Sequence, residues 1–188
     1  MGKIVLTMQM SLDGVVSDVD QWMTLSDEIL KDTVDYYESV GLVVVGGRTY
    51  ASLAEYWQDA ETSSASREER ELAARLNTLP KAVVSRSRRE LVWRNSRQIL
   101  FRDKDAFVRE MSELKTSTAG HISVESGAGT WRLFIGASLF DELWLFIHPV
   151  VVGRGDRLFE GAPGRLNLLL DNSKVYENGV VGLRYRKI

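Results

Sequence analysis

Short runs of β-branched and aliphatic residues alternate with segments of helical period through the first two thirds of this chain, and no other feature restricts its fold as strongly. The pattern predicts strands over 3–10, 42–45, 81–85, 98–101 and 121–125. Between them, Ile29, Leu30, Val34, Tyr37 and Val40 fall three and four residues apart, which predicts a helix over 26–40 capped by Ser26. Further helices are expected from Thr49 to about Trp57, from Ser66 to about Leu76, over 105–115 and from about 127 to 138. Ser66 and Glu69 have capping-box spacing, and the small polar residues of 58–66 are expected to form an exposed loop. Strands then dominate: 142–152 is long and aliphatic, and 176–185 is broken at Asn178-Gly179 as a closing hairpin would be. Alternation followed by strands indicates an α/β sandwich with a mostly parallel sheet and an antiparallel C-terminal edge.

Composition narrows the function. The 188 residues suit one domain, 1–188, and 44% hydrophobic with 27% charged residues is the balance of a globular protein with its own core. The absence of cysteine excludes a disulfide scaffold, a thiolate metal site and a cysteine nucleophile. His121 and His148 are the two histidines, and neither has a partner at metal-ligand spacing. A formal net charge of −2 gives no general field for nucleic acid or an anionic membrane. The first residues turn polar too soon for a signal-peptide core, and the greasiest run is too short to span a bilayer, so a cytoplasmic location is expected. A phosphate-binding Gly-Lys-Ser/Thr end is missing, and Gly127-x-Gly129 meets Arg132 where a dinucleotide fingerprint has its third glycine.

What remains is a set of turns at strand ends, 11–14, 46–49, 85–86 and 126–129. Ligands of open α/β sheets sit beyond the carboxyl ends of strands, so these turns are expected to converge. Their glycines either let a ligand approach the backbone or do no more than turn the chain. Helix starts after Thr49 and Gly127 favour a phosphate. Charge adds to this: between Lys81 and Arg102 there are seven bases (Lys81, Arg86, Arg88, Arg89, Arg94, Arg97, Arg102) against one acid, Glu90. Such a run is either a solvated basic face or, because Arg86 directly follows a strand, a clamp for an adenosine 2′-phosphate. Three carboxylates, Asp13, Asp27 and Glu125, fall near strand ends or a helix start. Asp13 and Asp27 also suit turn formation and the helix dipole, whereas Glu125 closes an apolar strand and needs a partner or water.

At these same turns the sequence resembles the reductase domain of bacterial riboflavin biosynthesis, within the dihydrofolate reductase-like superfamily. The residues that carry the resemblance are Met10-Ser11-Leu12-Asp13-Gly14, Val43-Val44-Val45-Gly46 with Thr49-Tyr50, and Leu79-Pro80-Lys81 with Val84-Ser85-Arg86. The strongest stretch runs from Glu125 to Phe159, with Leu139-Phe140-Asp141-Glu142-Leu143 and Pro149-Val150-Val151-Val152-Gly153-x-Gly155. Two turns depart from the pattern, Gly46-Gly47-Arg48 and Ser126-Gly127-Ala128-Gly129, and no zinc-binding deaminase signature is present. The resemblance implies a three-layer α/β/α sandwich and an NADPH-dependent reductase of a heterocycle, with 5-amino-6-(5-phosphoribosylamino)uracil as the first substrate to consider. The alternatives are another small molecule or a non-catalytic nucleotide-binding module. By resemblance Asp13 and Glu125, with Asp27 at a similar spacing from Trp22, serve the substrate. Gly14, Gly46, Arg48, Thr49, Ser85, Arg86, Ser126, Gly127, Ala128 and Gly129 hold NADPH. Both faces of the strand over 143–151 are apolar, which fits either a homodimer built there, the expectation taken, or a central strand buried on both sides.

Overall fold

Eight strands form one sheet in the computed structural model, which describes residues 2–162 and 164–188. In chain order they are β1 (Ile4–Ser11), β2 (Val40–Gly46), β3 (Lys81–Ser85), β4 (Ser96–Leu100), β5 (His121–Glu125), β6 (Glu142–His148), β7 (Leu168–Val175) and β8 (Val181–Lys187). Their spatial order is β4-β3-β2-β5-β1-β6-β8-β7. The first six run parallel, β8 is antiparallel to β6, and β7 is antiparallel to β8. Five helices cover the two faces: α1 (Asp27–Tyr37), α2 (Tyr50–Ser63) and α3 (Arg67–Thr78) on one, α4 (Lys104–Ser117) and α5 (Ala128–Gly136) on the other. This is the expected three-layer sandwich.

The central strands alternate between the two cores. Ile4, Leu6 and Met8 of β1 pack with Phe107, Met111 and Trp131 from α4 and α5. Val5 faces the other way with Ile29, Leu30, Leu72 and Leu76 from α1 and α3. Caps fix the helix starts: Ser26 Oγ accepts from Ile29 N at 3.4 Å, Ser66 Oγ from Glu69 N at 3.1 Å and Asp103 Oδ1 from Ala106 N at 2.8 Å. Lys81 holds the end of α3 from inside the sheet. Its ammonium is fully buried and donates to the carbonyls of Leu76, Asn77 and Leu79 at 2.7, 3.0 and 2.7 Å, with the Trp93 ring 4.8 Å away.

Three expectations are corrected. The segment after Trp57 is not a loop, because α2 runs on to Ser63. Glu61 is anchored there by Arg94 and by Asn77 Nδ2 at 2.6 Å, so tertiary contacts extend a helix that its own side chains do not signal. Helix α1 stops at Tyr37 and β2 already begins at Val40. The closing hairpin starts eight residues earlier than Tyr176, with β7 hidden by its exposed polar residues and a register shift between Leu170 and Asn172. Moreover, Leu143, Trp144, Leu145 and Phe146 of β6 are all buried, so this stretch leaves Val151 exposed beyond the strand, and further exposed apolar surface lies at Leu169, Leu170, Val175 and Ile188.

Candidate active site at the strand ends

The turns after β2 and β5 meet above the sheet, because β2 and β5 are hydrogen-bonded neighbours and their helices leave on opposite faces. Gly46 N donates to Ser126 Oγ at 3.0 Å. Thr49 Oγ1 donates to Gly46 O at 3.2 Å and lies 3.4 Å from Ser126 Oγ. A Cβ at Gly46 would collide with the Thr130 and Ser126 hydroxyls, so only glycine lets α5 start this close to β2. At Gly127, the N-cap of α5, no side chain caps the helix. Ala128 is buried, whereas Gly129 is exposed with nothing within 4 Å of where a Cβ would stand. Open amides at a helix start beside a second turn can receive an oxyanion.

Ser85 lies next along the edge. It is buried and tied into its own turn, accepting from Gln98 Nε2 at 3.0 Å. Arg86 is exposed and its guanidinium stacks over Phe101 at 5.8 Å, while Arg48 is exposed on the β2 turn. Arg89 lies across Gly47, and a Cβ there would stand 3.2 Å from its Nε and 2.7 Å from Ser85 Cβ. Arg89 was one charge among seven in the sequence; the β3–β4 connection brings it onto the β2 turn.

Asp13 and Gly14 belong to a different contact. The Asp13 carboxylate accepts from Ser11 Oγ at 2.8 Å, Val152 N at 3.0 Å, Gly153 N at 2.9 Å and Arg157 Nη2 at 3.4 Å. These bonds, the Ser11 hydroxyl first, hold it well below the usual carboxylate range. Gly14 has φ +87° and its carbonyl accepts from Leu158 N at 3.1 Å. The pair therefore clamps the segment after β6 onto the end of β1. Asp27 is exposed at the start of α1 and its hydrogen bond comes from Ser66 Oγ at 2.8 Å, which joins it to α3 rather than to the strand ends.

Glu125 closes β5 on the α1 face, opposite Thr7. Ser123 Oγ donates to its Oε1 at 2.7 Å. Burial pushes its carboxyl up, and the Ser123 hydrogen bond, with the Tyr37 and Thr7 hydroxyls nearby, offsets this only in part. Tyr36 sits beside them with its hydroxyl buried and unpartnered among the described residues. Two further polar residues, missed in the sequence, share that face. Gln9 follows Thr7 on β1, and His148 ends β6 opposite Ser11, with Nε2 2.7 Å from Gln9 Oε1. A polar residue at every second position, Thr7, Gln9, Ser11, on a strand covered on both faces is the signal that marks this row.

Comparison with known proteins bears on the family and the fold. The family model described as the RibD C-terminal domain matches residues 2–182. Uncharacterized protein YyaP of Bacillus subtilis (strain 168) is 28% identical over 187 residues, 97% of this chain and 94% of its own length. A putative riboflavin biosynthesis protein from Shewanella sp. PV-4 superposes with TM-score 0.75 at 16% identity, covering 99% of both chains. The deaminase/5-amino-6-(5-phosphoribosylamino)uracil reductase of Thermotoga maritima gives TM-score 0.64 at 12% identity, and this chain spans 57% of its length. Dihydrofolate reductase from Enterococcus faecalis, solved with NADP(H), gives TM-score 0.62 at 12% identity over 99% of this chain. The fold is therefore shared by riboflavin-type reductase domains and dihydrofolate reductase. Among the described residues, no helix is long and apolar enough to cross a membrane, and no group of His, Asp and Glu could hold a metal.

Proposed function

This chain belongs to the RibD C-terminal domain family, and from that premise we propose that it is an NADPH-dependent reductase of a heterocycle, of the 5-amino-6-(5-phosphoribosylamino)uracil type. The observation that carries the reading is the junction of two turns at Gly46, where the uncapped start of α5 opens beside a row of polar side chains ending in Glu125. The residues fit the cofactor. Amides of Ala128 and Gly129, with the Thr49 and Ser126 hydroxyls, would hold its pyrophosphate, and Arg48, Arg86 and Arg89 would surround a 2′-phosphate. NADPH supplies the hydride when bound.

The chain's own part is to place the ring and manage a proton. Glu125 is suited to this because its raised carboxyl holds a proton at Oε more readily than an ordinary glutamate. We assign Asp13 to holding the 152–157 segment in place, since its oxygens already face donors from within the chain. A cytoplasmic, homodimeric protein is part of the same proposal. The test is loss of NADPH absorbance with 5-amino-6-(5-phosphoribosylamino)uracil, alongside Kd values for NADPH and NADH. Turnover with a clear preference for NADPH supports the reading. Tight NADPH binding with no turnover on any heterocycle would favour a nucleotide-binding module instead.

A further inference from the structure

We propose that Gln9 recognises the substrate ring and that His148 fixes which end of the Gln9 amide is presented to it. The proposal rests on the reductase reading in one respect: it takes the row of polar side chains at the ends of β1, β5 and β6 to receive a heterocycle. The chemistry begins at Thr24, whose backbone N–H can only donate, and which meets His148 Nδ1 at 3.3 Å. Nδ1 must then be unprotonated, and a neutral imidazole carries its hydrogen on Nε2. His148 is 1% exposed, and burial pushes its pKa down to about 4, so the ring is neutral near pH 7. Nε2–H therefore donates to the atom 2.7 Å away, which is Gln9 Oε1. Trp22 packs edge-on against the imidazole at 5.5 Å, and its indole N–H is tied to Ser17 O at 3.0 Å, so the ring is held in place.

With its oxygen committed, Gln9 has only N–H groups left to offer. That amide nitrogen has no partner among the described residues and is not sealed from solvent. Its neighbours in the row are already engaged: the Ser11 hydroxyl accepts from Val15 N at 2.9 Å and donates to Asp13, and Thr7 Oγ1 lies 3.4 Å from Ser123 Oγ. Gln9 is thus the free donor on this stretch of β1. It selects a ring whose docked edge carries an acceptor, a carbonyl oxygen or an unprotonated ring nitrogen, and it disfavours an amino group at that position. A site built to hydrogen-bond one group discriminates strongly against its absence, because the buried partner is left unpaired.

Two measurements test this. Nitrogen–proton NMR of the two imidazoles of the chain should show the His148 hydrogen on Nε2 at pH 7; a hydrogen on Nδ1 overturns the proposal whatever the turnover. In the NADPH assay, Gln9→Glu keeps the shape but replaces the donor with an acceptor. It should raise KM for 5-amino-6-(5-phosphoribosylamino)uracil about 100-fold, with NADPH Kd changed no more than about twofold. His148→Phe frees the amide to turn over and should raise KM about tenfold, and the double variant should be no worse than Gln9→Glu alone. An unchanged KM in Gln9→Glu overturns the proposal. If the wild type turns over no heterocycle, the reductase reading fails, and uracil itself becomes the probe in an NMR titration. A uracil-dependent shift of the Gln9 side-chain amide, absent in Gln9→Glu, then supports recognition by Gln9, and no shift overturns it.

Discussion

Glu125 and His148 lie on the same face of the sheet, and burial acts on them in opposite senses, raising the carboxyl and lowering the imidazole. Each gives a prediction. Glu125→Gln keeps volume and hydrogen-bonding capacity, so the melting temperature and NADPH Kd should hold while kcat falls on the order of 100-fold; wild-type kcat with an early melt would make Glu125 structural. For His148, the folded pKa of about 4 lies below the ordinary 6.5. Between those values the unfolded chain binds more protons, so this group's effect is to lower stability as pH falls from about 6.5 to 4. The loss should be on the order of 2–3 kcal/mol by urea unfolding, and His148→Gln should remove that part of the slope. Glu125 was legible because a carboxylate closing an apolar strand is conspicuous. Gln9 and His148 were not, because their meaning lies in a contact between residues 139 positions apart. The Asp13 clamp was hidden for the same reason: a lone Asp-Gly reads as a turn until Val152 and Gly153 arrive from the segment after β6.

At the level of elements, sequence periodicity located every central strand and all five helices, and it misjudged ends where distant residues decide them. Helix α2 outruns its own signal because Glu61 is held by Asn77 and Arg94. Lys81 shows the same dependence from within a strand, and no pattern of one sequence reveals that its ammonium caps α3. Lys81→Met should cost about 2–3 kcal/mol in denaturant unfolding, since it removes the ammonium from the Leu76 and Leu79 carbonyls, whereas Asn77 O keeps Arg94 Nε at 3.1 Å. A loss under about 0.5 kcal/mol would mean that water replaces the ammonium freely. The start of α5 offers a sharper contrast. Gly46→Ala forces a Cβ into the Thr130 hydroxyl and should lower both the melting temperature and NADPH affinity. Gly129→Ala meets no atom and sits in a helix, so the fold should tolerate it or gain slightly while NADPH binding weakens. Equal NADPH Kd in Gly129→Ala and wild type would remove the phosphate from this helix start.

Across the whole molecule, the two ends of the sheet differ in what covers them. Near β2, β5 and β1, helices close both faces. Beyond β6, among the described residues, the face shared with α5 carries Leu158, Leu166 and Leu168, and a groove of about 800 Å³ opens there, lined by Met10, Ile147, Phe159, Leu183, Tyr185 and Ile188. Its apolar surface continues onto β7, the strand at that sheet edge, where Leu168 lines the groove and exposed Leu170 pairs with Tyr185. Two features argue against open-ended pairing along β7: the register shift after Leu170, and the charged Asp171 beside Arg186. A closed contact with a second copy, side chains of the β7–β8 face against their own equivalents, covers the apolar surface without exposing a new edge. The dimer inferred from 143–151 in the sequence is thereby moved outward, since Leu143 to Phe146 of β6 are already buried. Sedimentation should give a species of about twice 21.2 kDa. Leu170→Lys, at an exposed position, should return it to the monomer without lowering its melting temperature by more than the loss of the interface accounts for. A wild-type protein that sediments at 21.2 kDa at every concentration would refute the dimer.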